Sequence, residues 1–173
     1  MAVEKYAYGI ASVKFGTPTG SNSMPGEVTA WAQTVEGSLT LSEDEATMKD
    51  FKVEETTTPV KSIVTDVGAL TAKWRAYDIS VEMIETVKGG TGTESEAPTD
   101  HTYAGPVQVV AQDLALEITT TNGVVIEIYN AAVVARFDGS ISRESLLEME
   151  VTAKAQDPGD GTSPYMISLP NPS

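Results

Sequence analysis

The feature that most constrains this chain is a strict alternation of apolar and polar residues, repeated in segment after segment. In a β-strand successive side chains point to opposite faces, so a period of two marks a strand with one face buried. Leu147-Glu148-Met149-Glu150-Val151-Thr152-Ala153-Lys154 is the cleanest case, with every odd residue apolar. Leu70, Ala72, Trp74 and Ala76 alternate with Thr71, Lys73 and Arg75, and Leu114, Leu116 and Ile118 with Glu117 and Thr119. Within Thr34–Leu41 the odd positions Val35, Gly37, Leu39 and Leu41 oppose Glu36, Ser38 and Thr40. Further strands are expected near Tyr8–Phe15, Met48–Glu54, Val60–Asp66 and Val124–Phe137. Asn122-Gly123, between two such runs, predicts a hairpin with a type I′ turn, since both residues tolerate positive φ.

One stretch departs from this period. Asp78–Gly90 predicts a short helix: Asp78 as N-cap, Ile79, Met83 and Val87 on one stripe, and Gly89 as the stop. The expected fold is therefore all-β, a β-sandwich or small barrel, with one short flanking α-helix. At 173 residues a single domain is expected, and 40% apolar residues suffice to fill its core. Gly16–Gly26 and the acidic turn Ser42–Glu45 read as loops. Gly89–Pro106 reads as a mobile loop, longer than a passive connection usually is. Asp157–Ser173, with four prolines, reads as a tail wrapped over the surface.

Charge narrows the possible partners. Twenty-five acidic against 11 basic residues leave a formal charge of −14, and the basic residues are scattered singly along the sequence. Binding of duplex nucleic acid needs clustered Lys and Arg, so an acidic chain of this kind repels phosphate and anionic membranes. There is no cysteine, which removes disulfides and thiolate metal sites. The N-terminal residues lack the basic start and apolar run of a signal peptide, and no stretch is apolar enough to span a bilayer. Synthesis in the cytoplasm is expected.

The residues that could carry chemistry do not assemble into a motif. The sole histidine, His101, lies in a polar loop between Asp100 and Thr102, whereas a catalytic histidine needs an orienting acid and a nucleophile held on rigid elements, so it reads as a solvated loop residue. Glu43-Asp44-Glu45 and the pair Glu94 and Glu96 read as solvated acidic faces rather than a carboxylate pair across a cleft. Asp157-Pro158-Gly159-Asp160-Gly161 lacks the spacing and terminal Glu of a calcium loop and reads as a turn. Gly89-Gly90-Thr91-Gly92 follows a helix rather than a strand and is no dinucleotide fingerprint. Trp31 and Trp74 are candidates for ligand stacking, but Trp74 lies on an apolar face and fits a core position better. No catalytic residue, cofactor or metal ligand is expected, and an enzyme is not.

Four stretches, spanning roughly residues 30–165, give the chain its resemblance to a known family. They are Val35–Ala46, a strand entering an acidic turn; Met48–Glu54 with Pro59-Val60, an extended hairpin arm; Leu70–Trp74 through Met83 to Thr91, a strand–helix run; and Leu147–Gln156 with Asp157-Pro158-Gly159. Their succession resembles the tail tube (major tail) proteins of long-tailed phages, whose fold is shared by the type VI secretion tube protein. The resemblance implies hexameric rings, formed by neighbouring subunits joining their inner sheets around a channel, and stacked with the help of an arm near Leu41–Val60. It implies an assembly loop containing Ser42, Glu43, Asp44, Glu45, Met48, Lys49, Phe51, Thr57 and Pro59. It also implies a place in the virion tail beside other tail proteins, with DNA passing through an acidic conduit. The alternative is a β-sandwich binding or adhesion module without catalysis, which the scarcity of aromatics disfavours.

Overall fold

The computed structural model describes residues 6–31, 33–93 and 101–170, and among them it is an antiparallel β protein with one short helix. The strands are β1 (Ser12–Gly16), β2 (Thr29–Trp31), β3 (Thr40–Glu43), β4 (Thr47–Phe51), β5 (Lys61–Asp66), β6 (Leu70–Ala76), β7 (Thr91–Thr93), β8 (Thr102–Ala104), β9 (Gln112–Thr119), β10 (Val125–Asp138), β11 (Glu148–Ala155) and β12 (Tyr165–Ser168). Helix α1 (Val81–Lys88) lies between β6 and β7. Eight strands form one sheet in the order β2-β1-β9-β10-β11-β6-β3, with β12 added to β10, while β4-β5 and β7-β8 are separate two-stranded ladders.

The long strand β10 is the spine. Strand β9 pairs along one side of it; on the other side β12 pairs with Val125–Ile128 and β11 with Ala131–Asp138. Between these halves the register slips: Ile128 faces Leu116 and Ala131 faces Leu114, so Tyr129 and Asn130 together oppose Ala115. One extra residue reverses the inward parity of a strand and bends it. Before the bulge Ile126 and Ile128 point inward; after it Ala131, Val133 and Ala135 do. The bulge residues remain satisfied, because Tyr129 N donates to the Pro164 carbonyl and Gln156 N to that of Asn130.

The bent sheet curls until its two ends meet. Strand β2 pairs with β1 through Trp31, and a few residues later Val35 N donates to Arg75 O, Tyr77 N donates to Gln33 O, and Thr34 bridges Ala76. The segment thus leaves the edge of β1 and joins the edge of β6, passing through the left-handed conformation of Gln33. Aromatic rings fix this closure from inside. Phe15 and Trp31 meet edge-to-face at 5.8 Å between centroids, and Trp31 and Trp74 at 5.7 Å and 89°. Among the described residues neither buried indole N–H has a hydrogen-bond partner, and the tryptophans contribute volume and ring contacts. Met83, Ile84 and Val87 of α1 join the same core, against the β9–β10 region.

The fold class matches the sequence reading, and several local expectations need correction. Thr34–Leu41 is not one strand: it turns at Glu36–Gly37, where Gly37 has φ +69°, and the strand begins only at Thr40. Ser38 stabilises the turn by donating to the Val35 carbonyl and accepting from Arg75 N. At Asn122-Gly123 only Gly123 has positive φ, and Thr120 N donates to Val124 O, so the hairpin has a three-residue loop rather than type I′. The Asn122 side chain instead receives Tyr8 N and donates to the Tyr6 carbonyl, tying down the N-terminal segment. The helix starts at Val81 after Ser80, while Asp78 accepts Ser80 N and Ile79 is exposed, so the buried stripe is Met83, Ile84 and Val87. Gly89 does end it, donating to Glu85 O. The stretch read as a mobile loop over 89–106 holds the β7–β8 ladder, anchored by Tyr103 Oη donating to Gly89 O; its residues 94–100 lie outside those described. The proline-rich tail contributes β12 to the main sheet.

Because Trp74 has no exposed surface and carries the ring contact that joins the sheet's ends, Trp74→Ala is expected to cost about 3–5 kcal/mol. Urea denaturation followed by far-UV circular dichroism measures it.

Candidate assembly surface

The predicted assembly residues fall on one continuous exposed stretch. Every residue from Thr40 to Val67 is exposed, including all of β3, β4 and β5. Ser42 and Glu43 end β3, Asp44 and Glu45 connect it to the arm, Met48, Lys49 and Phe51 lie in β4, and Thr57 and Pro59 lie in the connection to β5. The arm expected near Leu41–Val60 is displaced along the chain: its ladder runs from Thr47 to Asp66. The five residues of β4, at roughly 3.3 Å each, make the paired part of the arm about 17 Å long.

The root of the arm is pinched. Asp44 N donates to the Ala69 carbonyl at 3.2 Å, and a Cβ at Gly68 would overlap the Asp44 carbonyl oxygen, so only glycine fits there. Glu43 accepts from Tyr165 Oη of β12 at 3.2 Å, and this carboxylate contact raises the Tyr165 pKa. Asp44 pairs with Lys154 at 3.7 Å. The acidic triplet is therefore split between the root's contacts and solvent rather than gathered into a carboxylate pair.

Beyond the root the arm touches little. Met48 is 69% exposed, Val64 54% and Phe51 46%, and the two strands are held mainly by each other. An isolated two-stranded hairpin is marginally stable in water. Its outer edges and those of β3 carry backbone groups with no ladder partner among the described residues, the feature that proteins elsewhere cover, shorten or charge.

A second feature was hidden from the sequence. On the outer face of β6, β11 and β10, three basic and three acidic side chains interlock around Glu150, a residue only 6% exposed. Glu150 is within 2.8 Å of Arg136, 3.3 Å of Lys73 and 3.4 Å of Arg75; Arg75 also reaches Asp138 at 2.9 Å and Glu148 at 3.3 Å. The hydrogen bond from Arg136, opposed by burial and aided by Lys73, holds the Glu150 carboxyl below the ordinary carboxylate range. The cluster balances three positive against three negative charges. It clasps three adjacent strands together.

The remaining candidates are local. His101 lies exposed beside Ile79, Ser80 and Val81. Asp157 accepts the amides of Gly159 and Gly161, and Asp160 those of Thr162, so this stretch is a turn. Gly90 and Gly92 pack against Tyr103 and Val81, respectively. Glu94 and Glu96 lie outside the described residues. Trp31 and Trp74 are core residues. Among the described residues, no group of three or more His, Asp or Glu could hold a metal ion, and no helix is long and apolar enough to cross a membrane. No protein-family model matches the chain, and no curated protein is significantly similar to it.

The Glu150 clasp gives a pH signature. A carboxyl whose folded pKa lies below its unfolded value stabilises the fold above the unfolded pKa, and that contribution is lost as pH falls through the folded one. Glu150→Gln is therefore expected to lower the melting temperature at pH 7, with the gap to wild type closing as pH drops below the ordinary carboxylate range. Thermal melts of both proteins between pH 7 and pH 3 test this.

Proposed function

We propose that this chain is a structural subunit that works by joining copies of itself, as rings of six stacked into a phage-type tail tube. The observation that carries the reading is the arm: from Thr40 to Val67 the chain is wholly exposed, yet it is built as a regular hairpin with large apolar residues on it. Contiguous exposed apolar surface on a soluble protein marks a contact awaiting a partner. Paired strand margins between copies would turn an aggregation hazard into the assembly contact.

Three further properties support it. The succession of elements resembles tail tube proteins, and the type VI secretion tube protein shares that fold. The compact barrel with its clasped outer sheet is a rigid block suited to repetition. Six copies at −14 each bring −84 to a ring, a field that lets DNA pass without binding. In this reading the chain is made in the host cytoplasm, ends in the virion tail beside other tail proteins, needs no cofactor and catalyses nothing.

Purified protein at rising concentration is expected to form rings and then tubes, seen by sedimentation velocity and negative-stain microscopy. Amides of Met48–Phe51 and Lys61–Val64 should exchange rapidly in the free subunit and slow by at least about tenfold on assembly. Compact monomers at every concentration, with arm amides exchanging freely throughout, would sink the proposal.

A further inference from the structure

We infer that the arm of one copy docks by one particular face into the open groove at the barrel seam of the next, so that copies join head to tail. The inference rests on the self-assembly reading and adds the receptor for the arm.

The arm's two faces differ in charge. Cross-strand partners share a face, so the pairs Lys49↔Ile63 and Phe51↔Lys61 place two lysines and two large apolar residues together. The opposite face carries Met48↔Val64 and Asp50↔Ser62, with Ser62 donating to the Asp50 carboxylate at 2.6 Å. Lys49 and Lys61 have no carboxylate within ion-pair distance among the described residues, although the chain as a whole carries −14. Most other basic side chains outside the arm are engaged: Lys14, Lys73, Arg75, Arg136 and Lys154 each hold an acid. Lys52, Lys88 and Arg143 also lack an ion pair among the described residues, Lys88 lying over Phe137, but the arm is where two such lysines and two large apolar residues share one face.

The complementary surface is the seam where the sheet's ends meet. There an open groove of about 960 Å³ is lined by Tyr8, Ile10, Trp31, Leu39 and Leu41, with Glu36 as the one acidic residue among the described residues that line it. Glu36 is exposed on the turn that interrupts the expected strand and has no ion pair among the described residues. No residue of β4 or β5 lines the groove, although the arm springs from its rim just beyond Leu41, so the chain's own arm does not fill it. An acid-marked apolar groove and a lysine-flanked apolar face are charge-complementary, and each is present once per copy. A contact between two different surfaces does not saturate in a dimer; it propagates as a ring or a filament. Charge fixes which arm face turns inward, and apolar burial supplies the affinity.

The lack of cysteine allows a clean test with single-cysteine variants. Glu36→Cys is mixed in turn with Lys49→Cys and with Asp50→Cys under mild oxidation. The expected product is a disulfide-linked heterodimer in the Lys49→Cys mixture and little in the Asp50→Cys mixture. In a cysteine-free chain, Lys49→Glu with Lys61→Glu should raise the concentration needed for assembly about tenfold, and adding Glu36→Lys should recover most of the loss. Preferential cross-linking through Asp50→Cys would overturn the choice of face. Tubes that form without cross-linking at either position would overturn the groove as receptor while leaving self-assembly intact. Neither assembly nor cross-linking would overturn both.

Discussion

Closure of one bent sheet upon itself is the constraint on which the rest of this structure depends. A single sheet with one apolar face must cover it, and with only one short helix available the cover is the sheet's own other half. The bulge at Tyr129-Asn130 makes this possible by bending β10 and restoring inward parity on both sides of the bend. The edge-to-face cluster of Phe15, Trp31 and Trp74 then fixes where the ends meet. Because that closure consumes β1, β2 and β6, the arm is left with no core to join.

The arm is consequently the part of the molecule whose stability is not explained within one copy. Among the described residues its strands pair only with each other and its apolar residues face solvent, and in the proposed assembly burial against another copy would supply the missing contribution. The pinch at Gly68 matters here, since it fixes where the arm leaves the barrel and so limits the entropy lost when the arm is captured. A preorganised arm on a rigid block would suit the proposed subunit, which adds many times in the same geometry.

Electrostatics divides the same way. On the outer sheet, Lys73, Arg75 and Arg136 are spent neutralising Glu150 and its neighbours, which stiffens three strands and leaves no free charge there. On the arm, Lys49 and Lys61 have no ion pair among the described residues, and Lys49 lies over the Phe51 ring. The surplus of acid elsewhere repels phosphate and, at physiological salt, is screened beyond about 8 Å, so it would not prevent the proposed close packing of copies.

By itself the sequence determined the β class, the single helix and its glycine stop, and the core role of Trp74. These follow from periodicity and local backbone preference, which act between residues near in sequence. Tertiary structure alone decided the rest. The phase of β10 depended on a bulge that no local residue announces. The apparent strand at Thr34–Leu41 broke because Gly37 accepted a left-handed turn where alternation alone allowed extension. The tail became β12 because β10 had an uncovered half-edge to offer. The Glu150 clasp arose from the register of three strands whose charged residues are up to 77 positions apart in sequence. Strand order and register are choices among distant partners, and a pattern of period two says which face a residue takes but not which strand will lie beside it.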